Sequence, residues 1–209
     1  MLAAARLYTI VDLGYVAPAD IEVAARGLIA GGADLIQLRA KGHAEGEIEA
    51  FAKRLLPLCR EAGVPFIVND FPEVAARVGA DGVHIGQDDG SLAAVREIVG
   101  WDRIVGRSTH SPEQAQAALE EGFDYIGFGP LFPTPTKAGR PGIGMEKVKD
   151  VQSSVGEKIP VFCIGGIRRD NLETVITAGA KRVVIVSDLL TARDIAGATR
   201  EAVAELGRA

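Results

Sequence analysis

The residues able to do chemistry stand in short polar clusters, each closing an apolar run. The run that begins at Leu35 ends in "QLRAK", residues 37–41. Strand alternation points Gln37, Arg39 and Lys41 one way, with Leu38 and Ala40 between them. An arginine fork and a lysine point charge side by side suit a diphosphate. A solvated charged turn would read the same. The next two runs end in "ND", with Asn69 and Asp70, and in "HIGQDD", with His84, Gln87, Asp88 and Asp89. Carboxylates on adjacent strand ends, Asp70 and Asp89, can share Mg²⁺, which takes one or two carboxylates together with substrate phosphates. The other reading makes Asp70 a helix cap and Asp89 the start of a turn before Gly90 and Ser91. "GRSTH" adds Ser108 as a hydrogen-bonding hydroxyl and His110 as an acid or base, although a histidine near a helix start is often structural. His43 and His84 carry the same two readings. The three histidines have no metal-ligand spacing, which argues against zinc.

A stiff loop follows the run "YIGFG". The stretch "FGPLFPTPTKAGRPG", residues 128–142, holds four prolines around Thr134, Pro135, Thr136 and Lys137. Its hydroxyls and third cation, on a backbone restricted by Pro133 and Pro135, suggest a clamp that closes on a ligand. Farther on, "IGGI" brings Gly166, and "VS" brings Val186 and Ser187. Glycines there let backbone N–H groups approach an anion, as barrels do after their last two strands.

These clusters need a scaffold that gathers strand ends. Eight apolar runs recur: "LYTIVD", "LIQLR", "PFIVND", "GVHIG", "RIVGRS", "YIGFG", "VFCIGG" and "VVIVS". Their near-continuous apolar content suits parallel strands covered on both faces. Between them lie helical segments. Ile21, Ala24, Ala25, Leu28 and Ile29 share one face, with Pro18 before them and Gly31 and Gly32 after. Ser111 and Pro112 open another helix, which Gly122 closes. "GAD" at 32–34 and 79–81, "GFD" at 122–124 and "GAK" at 179–181 each precede a run, and each glycine suits a left-handed helix end. The pattern predicts an α/β fold, one (β/α)₈ barrel over residues 1–209, with a doubly wound sheet as the alternative. No G-x-G-x-x-G opens the first helix, which weakens a dinucleotide-binding reading.

Bulk properties narrow the function. The chain has 209 residues, 47% hydrophobic and 24% charged, with a net charge of −5. No basic field is present to hold a nucleic acid, although a local cation cluster can hold a small anion. No apolar run approaches the ~18 residues that span a bilayer. The N-terminus lacks the apolar core and cleavage site of a signal peptide, so a cytoplasmic protein is expected. Cys59 and Cys163 read as buried free thiols.

The ordered set "QLRAK", "ND", "GVHIGQDD", "GRSTH", "GPLFPTPTK", "IGGI" and "VS" resembles the thiamine-phosphate synthase family over almost the whole chain. The resemblance implies a (β/α)₈ barrel that joins hydroxymethylpyrimidine diphosphate to hydroxyethylthiazole phosphate, releasing diphosphate with Mg²⁺ as cofactor. It implies that Gln37, Leu38, Arg39, Ala40, Lys41, Asn69, Ser108 and Lys137 hold the pyrimidine diphosphate, and that Asp70 and Asp89 hold the metal. Thr134, Pro135, Thr136, Gly166, Val186 and Ser187 would hold the thiazole phosphate, and Arg39, Lys137 and Ser108 would carry catalysis. The family's chemistry is dissociative: diphosphate leaves, and the thiazole nitrogen attacks the cation that remains. Phe71 stands where the family commonly has a basic residue, and "GQDD" replaces "GQED". His110 is similar to a histidine of a sister group, the thiazole tautomerases, which tend to lack parts of the diphosphate and metal set. This chain keeps that set, which favours the synthase. Small-molecule substrates are the expected partners. The sequence leaves the oligomeric state open.

Overall fold

A computed structural model describes residues 2–134 and 142–207. Its strands are β1 (Leu7–Asp12), β2 (Leu35–Arg39), β3 (Phe66–Asn69), β4 (Gly82–Ile85), β5 (Ile104–Thr109), β6 (Tyr125–Phe128), β7 (Val161–Cys163) and β8 (Val183–Ile185). All pairings are parallel, and the strands close in sequence order into one barrel, β8 beside β1. The helices are α1 (Ile21–Ala30), α2 (Glu45–Ala62), α3 (Pro72–Val78), α4 (Leu92–Val99), α5 (Pro112–Glu121), α6 (Val148–Ser154), α7 (Leu172–Thr177), α8 (Ser187–Leu190) and α9 (Ile195–Gly207). This is the (β/α)₈ barrel that the alternating runs predict. The last two strands are shorter than their apolar runs, and after β7 Gly165 and Gly166 turn the chain away at positive φ.

Local signals set the element ends. Ser111 Oγ accepts from the Gln114 N–H at 3.3 Å, and Pro112 begins α5. The repeat glycines all take positive φ: 94° at Gly32, 72° at Gly79, 91° at Gly122 and 107° at Gly179. A side chain is strained there, so glycine ends each helix at low cost. The acidic residues that follow the first three then turn back to brace strands. Asp34 Oδ2 accepts from the N–H of Leu7, Asp81 Oδ2 from that of Phe66, and Asp124 Oδ2 from that of Val105. Of the face expected on α1, Ile21, Ala24, Ala25 and Leu28 are buried and Ile29 is half-buried.

Strand alternation divides the core into two layers. Outward-facing Leu7, Val11, Ile36, Leu38, Val68 and Val83 pack under the helices. Inward-facing Tyr8, Ile10, Leu35, Ile67, Tyr125, Phe162 and Val184 fill the barrel. Three rings meet edge to face in this interior, with Tyr8 and Tyr125 centroids 5.8 Å apart and Tyr8 and Phe162 5.4 Å apart. Tyr125 fits only because its β5 neighbour is Gly106: a Cβ there would stand 2.1 Å from the tyrosine Cζ. Cys59 and Cys163 are buried free thiols, each pushed up to about 12 by burial, and therefore protonated and inert at neutral pH. No described helix is long and apolar enough to cross a membrane.

The packing around Gly106 is directly testable. Gly106→Ala is expected to cost about 1–3 kcal/mol through overpacking against Tyr125. Urea denaturation checks this, and an unchanged midpoint would contradict it.

Candidate active site

A cavity of about 430 Å³ opens at the C-terminal ends of the strands, the side on which barrels carry their sites. Gln37, Arg39 and Lys41 all line it, as their alternation requires, and Asn69, Asp70, Asp89, Ser108, Thr134, Gly166, Val186 and Ser187 join them. Leu38 and Ala40 lie between the cavity-lining positions, and their side chains pack into the outer core. Only their backbone is left to meet a ligand. Pro135, Thr136 and Lys137 lie outside the described residues, as does the centre of the proposed clamp. The near end of that loop is fixed: the N–H of Leu131 donates to Ile164 O at 2.8 Å, and that of Phe132 to Gly165 O at 3.0 Å.

Arg39 is held by a residue that the motif reading passed over. Its Nη1 lies 2.7 Å from Asp12 Oδ2, and the two side chains are 14% and 2% exposed. Asp12 Oδ1 accepts from the Gly14 N–H at 2.9 Å. Asp12 is paired in register with Arg39 across β1 and β2, so backbone geometry itself brings the two together. The signal was an acidic residue closing an otherwise apolar run.

The carboxylates form a pair on the rim. Asp70 has φ 63°, the one positive value outside glycine among the described residues, and its N–H donates to His84 O at 2.9 Å. Such strain persists where surroundings enforce it, and it often marks a functional position. It also removes the reading of Asp70 as a helix cap: α3 begins at Pro72 with no side-chain cap. The Asp70 carboxyl is pushed up, first by burial and then by the negative charge of Asp89, against a lowering pull from Lys41. Lys41 Nζ stands 3.9 Å from Asp70 Oδ2, with its side chain 64% exposed, a loose contact. Asp89 Oδ2 accepts from the Gly86 N–H at 2.7 Å, and a Cβ on Gly86 would fall 2.8 Å from that oxygen. Ser91 caps α4, with Oγ accepting from the Ala94 N–H at 3.3 Å.

The turn that carries Asp89 is tied to β5. Arg107 is buried, donates to Gly90 O at 2.7 Å and Gln87 O at 2.9 Å, and lies over the Phe123 ring, 5.2 Å from its centroid. Gln87 Nε2 donates to Ser108 O at 2.5 Å. Arg107 points outward from the barrel, so a search for cavity-facing charge overlooks it.

Two histidines reach the cavity with different partners. His110 Nδ1 meets Gly129 O, which can only accept, so Nδ1 carries a proton and a neutral ring presents Nε2 as the acceptor. The His110 N–H donates to Gln114 Oε1 at 2.8 Å. His84 has its Nδ1 3.0 Å from Tyr125 OH and its Nε2 2.9 Å from Ser108 Oγ. His43 packs against Phe51 and lies 3.6 Å from Glu47, away from the cavity lining.

The family model described as thiamine monophosphate synthase matches residues 7–189. The chain is 46% identical over 197 residues to the thiamine-phosphate synthase of Thermus thermophilus, covering 93% of this chain and 94% of that one. It is 40% identical over 205 residues to the thiamine-phosphate synthase of Shouchella clausii, covering 98% and 97%. The chain belongs to the thiamine monophosphate synthase family. With that family it is a transferase. The solved thiamine phosphate pyrophosphorylase from Pyrococcus furiosus superposes with a TM-score of 0.86 at 34% identity, covering 97% of this chain and 96% of that one.

Among the described residues, no three His, Cys, Asp or Glu side chains cluster as a complete metal site. The Asp70–Asp89 pair offers two hard oxygen donors, and the burial and the repulsion that raise the Asp70 carboxyl are what a bound cation would offset. The pair therefore fits Mg²⁺ that draws its other ligands from water and substrate.

A pH-dependent stability follows. A carboxyl raised in the folded state destabilises it once ionised, so the penalty is absent in acid and grows as pH rises through the carboxyl range. Removing the Asp89 charge lowers the folded-state pKa of Asp70 and relieves part of that penalty. In EDTA, Asp89→Asn is expected to melt a few degrees above the parent at neutral pH, with the gap closing in acid. Calorimetric melting across pH checks this, and a gap that widened in acid would contradict the repulsion.

Proposed function

We propose that this chain is a thiamine-phosphate synthase, joining 4-amino-2-methyl-5-hydroxymethylpyrimidine diphosphate to hydroxyethylthiazole phosphate. The observation that carries this reading is one cavity with a braced Arg39, Lys41 and the Asp70–Asp89 pair along its rim, and Gly166, Val186 and Ser187 in the same lining. The cationic rim suits a leaving diphosphate, and the glycine-rich strand ends suit a second, smaller phosphate.

In this mechanism Arg39, oriented by Asp12, grips the diphosphate as a planar fork, and Lys41 adds a mobile charge. Lys137 contributes the third cation. The pyrimidine ring lies between Gln37 and Ser108, with Asn69 beside it. Asp70 and Asp89 would hold Mg²⁺, which when bound neutralises charge on the leaving diphosphate. The carbon–oxygen bond to diphosphate breaks, and its electron pair leaves with the diphosphate. The thiazole nitrogen gives its lone pair to the pyrimidine methylene carbon, forming the new carbon–nitrogen bond. No activated protein nucleophile is needed. Fixing charge where the leaving group develops it is the main contribution. Thr134, Pro135 and Thr136, with Gly166, Val186 and Ser187, hold the thiazole phosphate.

The competing reading is a thiazole tautomerase using His110, whose Nε2 is the acceptor in the neutral ring. Kinetics separate the two. With both substrates and Mg²⁺, diphosphate release is expected to fall about 10²-fold or more in Asp70→Asn, whereas His110→Ala should be mild. Diphosphate release absent from the parent, with His110-dependent isomerisation of the thiazole phosphate, would overturn the synthase reading.

A further inference from the structure

The barrel has one thin seam. β7 and β8 share a single residue pair in register, Cys163 with Val183, whereas every other pair of neighbouring strands shares three or more. The loops above this seam carry Gly166 on one side and Val186 with Ser187 on the other, all in the cavity lining. After β7 the backbone turns through Gly165 and Gly166 at φ 98° and 65°, and glycine leaves such a turn many conformations. The Phe132 N–H ties Gly165 O toward β6, not toward β8. Neither the short ladder nor the glycine turn fixes how far Gly166 stands from Ser187.

Side chains behind the cavity bridge the seam instead. Asn171 Nδ2 donates to Gly166 O at 3.0 Å, and Asn171 Oδ1 accepts from the Arg168 N–H at 2.8 Å. Asn171 ends a single 3-10 turn, Arg169–Asn171, and the first residue of that turn reaches across to β8. Asp188 Oδ2 accepts from the Arg169 N–H at 3.1 Å and from Arg169 Nε at 2.8 Å. Asp188 directly follows Ser187 at the start of α8. The Arg169 and Asp188 side chains are 33% and 19% exposed, so solvent weakens the pair only in part. Arg169 Nη1 also reaches Glu201 Oε2 on α9 at 2.5 Å. Asn171, Arg169 and Asp188 are all outside the cavity lining, and the mechanism above does not use them.

We propose that the Asp188–Arg169 clasp sets the spacing between the Gly166 turn and Ser187, and with it the affinity for the smaller phosphate. This rests on the reading that Gly166, Val186 and Ser187 hold the thiazole phosphate. A phosphate held from two loops is bound well only when both present their groups at hydrogen-bond distance together. A loosened seam keeps one set and loses the other. Arg39 is braced separately by Asp12, so the grip on the diphosphate does not depend on the seam. The defect therefore falls on one substrate. Arg169 and Asp188 act through Gly166 and Ser187 and are positioning residues.

Steady-state kinetics with each substrate varied in turn tests the clasp. Both Arg169 hydrogen bonds end on one oxygen of Asp188, so Asp188→Asn keeps an acceptor for them and Asp188→Ala removes it. Asp188→Ala is expected to raise the KM for hydroxyethylthiazole phosphate about ten-fold. The KM for the pyrimidine diphosphate should stay within about two-fold of the parent, and Asp188→Asn should restore most of the loss. Arg169→Met keeps the stem, cuts the Nε bond and should raise the same KM, which guards against a folding defect peculiar to Asp188→Ala. A thiazole phosphate KM unchanged in both clasp-breaking variants would overturn the clasp alone. So would a rise shared equally by both substrates, or Asp188→Asn behaving as Asp188→Ala does, which would assign the effect to the charge. A parent that formed no thiamine phosphate from the two substrates would overturn the underlying reading of the site, and the clasp with it.

Discussion

Closing eight parallel strands into a small barrel turns every second strand residue inward, to a place with little room and little water. Polar groups there must be partnered. Tyr8, Tyr125 and His84 meet that demand through one another, with Gln37 and Ser108 at the two ends. The same alternation carries Arg39 and Lys41 to the rim and sends Leu38 and Ala40 to the helices. One geometric constraint thus sorts each strand into packing residues and chemistry residues.

The rim is built against stability. Asp70 is held at positive φ, and its carboxyl faces the negative charge of Asp89. Arg107 and Gln87 fix the turn that carries Asp89, and Asp12 fixes Arg39. Charges that would drift apart in a flexible loop are kept close by Arg107, which faces away from the cavity, and by Gln87 and Asp12 in the lining itself. Such preorganisation lowers the rearrangement needed when a charged ligand arrives.

The fold was legible because strand runs, helix faces and repeat glycines agreed with one another. Gly32, Gly79, Gly122 and Gly179 announced helix ends, and all four take positive φ. The rim was legible because cations and carboxylates at strand ends are conspicuous. The supporting residues were not. Tyr8 and Tyr125 read as core aromatics, and their hydroxyl partners come from strands distant in sequence. Arg107 sits at an outward strand position, where an apolar residue is the norm. Asp12 acquires meaning only from its register partner Arg39. Local pattern gives direction along a strand, whereas these roles depend on which strands become neighbours around the barrel.

The proposed reaction is a substitution at the pyrimidine methylene carbon that consumes both substrates together. The most direct measurement is mass-spectrometric quantification of products after incubation with the pyrimidine diphosphate, the thiazole phosphate and Mg²⁺. A thiamine-phosphate synthase forms thiamine phosphate and diphosphate in a one-to-one ratio, and no thiamine phosphate when the thiazole phosphate is omitted. Recovery of an isomerised thiazole phosphate, with the pyrimidine diphosphate untouched, would contradict it.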